Sequence, residues 1–274
     1  MSDAFEISHS AQIAHLKFTR ADKSNAMAHA FWSDFHPAIA ELNRDGQTRV
    51  LVISGEGRHF CSGMDVSMFM GDTPKTVTPD DREAFVEVVR TMQIAISALE
   101  EARFPVIAAV QGACLGAGFD LAAACDLRFA SRDAKFRIEE TNIGMMADLG
   151  VLQRLPRLVP EGIAREMAYL GKSLPAEEAH RFGLVNGLAE DAAGALDLAM
   201  AAAKQITLKA PLAIAGSKAS ITYARSHSTQ ESLAHTCLLQ SALWKPEDIM
   251  TAFGARTQKK DAEFQPLKAL AKFP

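Results

Sequence analysis

The chain has 274 residues, of which 48% are hydrophobic and 23% charged, with a formal net charge of −4. That length suits one large domain or a domain with an appendage, and an acidic balance without a Lys/Arg-dense run argues against a nucleic-acid partner. The four cysteines, Cys61, Cys114, Cys125 and Cys237, form no C-x-x-C and no zinc-like spacing, which argues against a structural metal or a disulfide framework and fits a reducing compartment.

The N-terminal "MSDAFEISHSAQIAHLKF" has early acids and no apolar run of signal-peptide or membrane-spanning length, and the C-terminal "LKALAKFP" matches no peroxisomal or prenylation signal. A cytoplasmic protein without a membrane partner is expected. "FEIS" and "QIAHLKFT" alternate as strands and predict a hairpin about His9–Ala11. "NAMAHAFWSDFHPAIAELNRD" has helical periodicity, with Phe31, Phe35, Ile39 and Leu42 on one face. "RVLVISG" is a continuous apolar run, as in a strand buried on both faces. "RHFCSGMDVSMFM" reads as a loop entering a short helix, and the Pro-rich segment "GDTPKTVTPDD" as a mobile loop.

The next helix has an N-cap in Thr78, a proline at its first position in Pro79, and a capping-box acid in Asp81. Pro105 forbids its continuation beyond about Ala102. "PVIAAVQG" is another buried strand, and "GAGFDLAAACD" opens a short helix. "CDLRFAS" and "AKFRI" are two further strands. From about Pro160 onward only helices are expected. The chain thus reads as α/β, with a core over residues 1–200 and a helical region over 201–274 that packs on the core or on another subunit.

The glycine segment is not a dinucleotide fingerprint, because Gly116 and Gly118 are followed by Leu121 where a third glycine is required. "GKS" at Gly171–Ser173 is not a P-loop, since the earlier glycine position holds Glu166. No G-x-S-x-G and no H-E-x-x-H occurs. What remains is a strand–glycine–helix transition, which is either a tight turn for packing or a set of free N–H groups for an anion. "FCSGMDV" is a second such transition, and two donors converging on one oxygen make an oxyanion hole. Asp65 there reads as a helix-start acid.

Four acids stand out. Asp120 interrupts an apolar helix, and an unpaired buried charge is costly. Asp148 stands between Ala147 and Leu149 in an apolar run, as an N-cap or a functional acid. Of Glu139 and Glu140, at most one faces inward.

Together "RVLVISGEGRHFCSGMDV", "PVIAAVQGACLGAGFDLAAACDLRFAS", "FRIEETNIGMMADLGVLQRLPRLV" and "AEEAHRFGLVN" resemble the crotonase, or enoyl-CoA hydratase/isomerase, superfamily over nearly the whole chain. The resemblance implies a crotonase-like fold of repeated ββα units, with C-terminal helices that build a homotrimer or a hexamer. It implies an acyl-CoA thioester substrate whose oxygen is held by the backbone N–H groups of Met64 and Ala117, within the segments of Ser62, Gly63 and Gly116. An alanine at such a turn needs a permissive φ. Family hydratases carry glutamates at the positions of Asp120 and Glu140, and glycine at that of Asp148. The combination of Asp120, Glu140 and Asp148 resembles instead the Δ3,5-Δ2,4-dienoyl-CoA isomerases of fatty-acid β-oxidation.

That resemblance implies Glu140 as base at C2, Asp148 as acid at C6, and Asp120 as a supporting acid. Lys23 matches the family's CoA-binding basic residue or is a solvated lysine, and Phe264 and Lys268 would reach a neighbour's nucleotide. No metal or cofactor beyond the substrate's coenzyme A is implied. The competing expectations are an enoyl-CoA hydratase and a non-catalytic acyl-CoA-binding protein.

Overall fold

The computed structural model describes residues 2–70 and 76–271. The strands are β1 (Phe5–Ser10), β2 (Ile13–Phe18), β3 (Val50–Gly55), β4 (Val106–Val110), β5 (Ala113–Leu115), β6 (Leu127–Ser131), β7 (Lys135–Arg137), β8 (Leu174–Pro175) and β9 (Gly187–Ala189). The helices are α1 (His29–Asp45), α2 (Ser67–Met70), α3 (Pro79–Glu101), α4 (Ala117–Ala124), α5 (Val151–Arg154), α6 (Glu161–Leu170), α7 (Ala176–Arg181), α8 (Ala192–Thr207), α9 (Pro211–Tyr223), α10 (Thr229–Leu243) and α11 (Pro246–Thr257).

The main sheet has the order β1-β2-β3-β4-β6-β9. β1 and β2 pair antiparallel through the expected hairpin, and the remaining neighbours are parallel. In β3 the apolar run serves both faces. Val50 and Val52 pack with Ala199 and Ala203 of α8, whereas Leu51 and Ile53 point into the main core with Phe31, Phe35 and Ile39 of α1. Opposite faces for alternate residues follow from strand geometry, and a sheet covered on both sides needs no polar alternation. α1 buries the four expected side chains, and Phe5, Phe18, Phe31 and Phe60 meet edge to face around it.

A smaller sheet, β5-β7-β8, stands beside the first, and a parallel backbone pairing of Cys61 with Cys114, whose thiols are free, extends it to the segment after β3. The ββα repetition is visible in β1-β2-α1 and β4-β5-α4. α3 begins at the Thr78–Asp81 capping box with Pro79 in its first turn. Residues 71–75 of the Pro-rich segment lie outside the described residues.

The expectation of helices alone after Pro160 requires correction. β9 pairs with β6 and forms one edge of the main sheet, and β8 pairs with β7. Strands of three and two residues are too short to display a period. The boundary between residues 200 and 201 falls inside α8, whose Ala195, Ala199 and Ala203 are all buried. The helices past it, α9 to α11, surround a recess of about 760 Å³ and expose Trp244 and Phe253. Lys218 of α9 anchors this group through Asp126 at 2.8 Å and the carbonyls of Leu99 and Phe104 at 2.6 and 2.9 Å.

Candidate active site

Two backbone segments meet where the sheets join. Cys61 N–H donates to Ala113 O and Leu115 N–H to Cys61 O, each at 3.0 Å. This pairing sets Gly63 against the start of α4, so close that a Cβ there would lie 3.5 Å from Ala117 N and 3.0 Å from Leu115 O. Gly63 and Gly116 both have left-handed φ, +99° and +51°, so the strained turns fall on residues without a Cβ. Ala117, as the first residue of α4, has no left-handed φ. Gly63 O and Asp65 N–H are both engaged by Met27. Met64 N–H, between them in extended backbone, therefore faces away from Met27. Among the described residues, neither Met64 N–H nor Ala117 N–H donates a hydrogen bond within the chain. Gly118 lets α4 pack on Cys61, since a Cβ would come within 2.7 Å of the Cys61 Cβ.

The three acids gather on the α4 side of these donors. Asp120 is fully buried. Its Oδ1 accepts from Val151 N–H, the first amide of α5, at 2.6 Å. Burial first, and then the charge of Glu140, pushes its carboxyl up to about 8, with the Val151 N–H pulling the other way. Its Oδ2 has no hydrogen-bond partner among the described residues. Glu140 begins a 3₁₀ turn, Glu140–Ile143, and its Oε1 would lie 3.2 Å from a Cβ placed on Gly116. Its carboxyl is raised by burial, with Asp148 adding to the rise and its own backbone N–H opposing it. Asp148 is half-buried and likewise raised by burial.

The structure separates the alternatives at these acids. Asp148 does not cap α5: the N-cap is Gly150, and the carboxyl at that helix start comes from Asp120, 31 residues before Val151. Glu139 pairs with Arg137; its Cβ also lies against Gly116, but the carboxyl beside the glycine turn is that of Glu140. Asp65 is a structural acid. It accepts from Ser67 N–H at 3.0 Å and pairs with Arg20 at 2.9 Å, and these contacts, Ser67 first, hold its carboxyl below the usual range.

Lys23 ends the 3₁₀ turn Ala21–Lys23 and is exposed. The next residue, Ser24, accepts from Ser62 N–H at 3.0 Å, so Lys23 stands beside the segment that carries Met64. Phe264 and Lys268 lie elsewhere in the same chain. Their segment crosses the C-terminal end of α1, where Leu270 N–H donates to Arg44 O at 2.8 Å and Leu267 O presses on Gly46. That is the end of the sheet where β3 starts, whereas the donors and acids lie where the strands finish.

Two contributors were not found from the sequence. Gln93 of α3 donates to Asp148 O at 2.6 Å, and Arg154 of α5 donates to Leu149 O at 3.1 Å. Both help line a recess of about 790 Å³ together with Leu149 and Gly150. The glycine at 150, four residues before an arginine, is the only local trace of the second contact.

A family model described as enoyl-CoA hydratase/isomerase matches residues 8–266. The chain belongs to this family of enzymes, whose fold is the crotonase fold. Among its relatives, the mitochondrial Δ(3,5)-Δ(2,4)-dienoyl-CoA isomerase of Mus musculus is 34% identical over 256 residues, 92% of this chain and 78% of its own. The peroxisomal enzyme of the same name from Arabidopsis thaliana is 34% identical over 259 residues, 93% of each chain. The crystal structure of enoyl-CoA hydratase from Mycobacterium tuberculosis H37Rv superposes with a TM-score of 0.83 at 30% identity, covering 96% of this chain and 99% of that one. No helix among the described residues is long and apolar enough to cross a membrane.

Proposed function

We propose that the protein is a Δ3,5-Δ2,4-dienoyl-CoA isomerase. The observation that carries this reading is the placement of Asp120 on α4 and of Glu140 against the Gly116 turn, with Asp148 on the segment leading into α5, beside two unengaged backbone donors. A 3,5-dienoyl thioester has acidic protons at C2. Glu140, as carboxylate, takes one of them, and the C–H electron pair moves toward the thioester oxygen. The resulting dienolate accepts hydrogen bonds from Met64 N–H and Ala117 N–H, aimed where charge develops. Protonation at C6 by Asp148 returns the electrons along the chain and yields the 2,4-dienoyl thioester.

C2 and C6 are too far apart for one short carboxyl, so separate acids serve the two ends. Asp148 must carry a proton at the start and Glu140 must not; burial raises both carboxyls, so the division of roles follows the family resemblance. Asp120 moves no proton in this scheme. Its bond to Val151 N–H holds the start of α5, three residues beyond Asp148. Lys23, with Ser62, Gly63 and Gly116, flanks the path for the CoA portion, and no further cofactor is called on. In the assembled trimer or dimer of trimers, the exposed apolar side chains of α9 to α11 pack between subunits, and Phe264 and Lys268 reach a neighbour's nucleotide.

The test is spectrophotometric. With purified protein, 3,5-dienoyl-CoA gains the absorbance of the conjugated 2,4-dienoyl thioester, and Asp148→Asn abolishes the gain. Rapid loss of the enoyl band from 2-trans-enoyl-CoA, with no change in 3,5-dienoyl-CoA, would instead establish a hydratase. Binding of acyl-CoA without turnover of either would establish a non-catalytic protein.

A further inference from the structure

The Arg154 guanidinium is used almost completely. Nε donates to Glu100 Oε2 at 2.8 Å, Nη2 to the same oxygen at 2.5 Å and to Ser97 Oγ at 3.0 Å, and Nη1 to Leu149 O at 3.1 Å. Its side chain is 13% exposed and that of Glu100 14%. Glu100 is held in turn by Arg225, beyond the end of α9. The guanidinium lies against Gly150 with Nη1 nearest, so that a Cβ there would come within 1.9 Å of Nη1. Gly150 has a φ of +118°. The segment Asp148-Leu149-Gly150 is irregular backbone, and irregular segments hold a shape only where outside partners pin their polar groups. Its carbonyls at Asp148 and Leu149 are pinned to α3 by Gln93 and, through Arg154, by Ser97 and Glu100.

We infer that Arg154 is a positioning residue for Asp148, transmitting the rigidity of α3 to the backbone that presents this carboxyl to C6. The inference rests on the reading that Glu140 serves C2 and Asp148 serves C6. The hydrogen bonds of Arg154 go to Glu100, Ser97 and Leu149 O and none to the Asp148 carboxyl; its charge acts on Asp120, whose carboxyl it lowers. Its fork binds two partners on α3 and a carbonyl on the loop at once, a geometry an ammonium does not reproduce. Loss of the fork lets the 148–150 segment drift, while the donors at Met64 and Ala117 and the base Glu140 stay on separate elements. The two halves of the reaction therefore separate: abstraction at C2 continues, and delivery at C6 fails.

The experiment compares wild type, Arg154→Lys, Arg154→Gln, Gln93→Ala and Asp148→Asn in D2O. It follows conversion of 3,5-dienoyl-CoA to the 2,4-isomer and, in unreacted substrate, deuterium uptake at C2. In the Arg154 variants kcat for isomerisation is expected to fall on the order of 10- to 100-fold, the loss that goes with misplacement by about an ångström. KM and the C2 exchange rate are expected to stay within about threefold of wild type, as the base and the binding contacts are untouched. Gln93 is exposed, so Gln93→Ala keeps the fold and shows the same split in smaller degree. Parallel loss of exchange and isomerisation in folded protein, or an unchanged kcat in Arg154→Lys, overturns the positioning role. Asp148→Asn tests the underlying reading separately: wild-type isomerisation there sinks the assignment of Asp148, whatever the Arg154 variants do.

Discussion

Asp120→Asn is expected to flatten the pH dependence of stability. In the folded chain Asp120 keeps its proton up to about pH 8, whereas an unfolded aspartate releases it near pH 4. Between those values folding takes up one proton, so stability falls as pH rises, by about 1.4 kcal/mol per pH unit. Below the window both states are protonated and above it neither is, so the slope is confined to it. Asparagine keeps the carbonyl oxygen that accepts from Val151 N–H and has no proton to bind. From about pH 5 to about pH 7 the wild type therefore loses about 3 kcal/mol relative to the variant. Guanidinium denaturation of both proteins at several pH values, at one fixed protein concentration, measures the difference. Glu140 and Asp148 titrate in both proteins and cancel to first order. Parallel stability profiles would refute the claim that burial holds this carboxyl neutral.

Ala117→Pro is expected to preserve α4, because proline suits the first helical position, and to delete one donor. Steady-state kinetics on 3,5-dienoyl-CoA are expected to show kcat lowered on the order of 100- to 1,000-fold with an unchanged circular dichroism spectrum. Gly63→Ala places a Cβ 3.0 Å from Leu115 O at a φ of +99°, and urea titration is expected to show a loss of about 1–3 kcal/mol. Lys218→Met leaves the Asp126 carboxylate and two carbonyls without their shared cation. Chemical denaturation is expected to register about 3–5 kcal/mol.

Features encoded by neighbouring residues were legible in the sequence. The Phe31–Leu42 stripe, the Thr78–Asp81 box and the two-faced strand β3 each depend on a few adjacent positions, and local chemistry decides them. The acids were visible as anomalies; their roles came only from the family resemblance, and spacing left alternatives open. By spacing Asp148 reads as a cap or a functional acid because α5 follows it, and only the bond from Val151 to a residue 31 positions away shows that the capping carboxyl is that of Asp120. Glu139 and Glu140 are equivalent by spacing, and Arg137 breaks the tie. β9 was missed because three residues have no period, and its strand character comes from the edge of β6. Gln93 is 55 positions from the carbonyl it holds, and nothing near it in sequence signals that contact.

The donors at Met64 and Ala117 belong to the backbone, and this changes what mutagenesis can see. An alanine scan would pass over residue 117, which is already alanine, and would truncate the side chain at residue 64 while leaving its amide in place. Two atoms central to the proposed chemistry would score as dispensable, and the sensitive positions would be the glycines at 63 and 116, which touch no reacting bond. A map of mutational tolerance for this enzyme would therefore trace the shape of the turns and leave the groups those turns present unmarked.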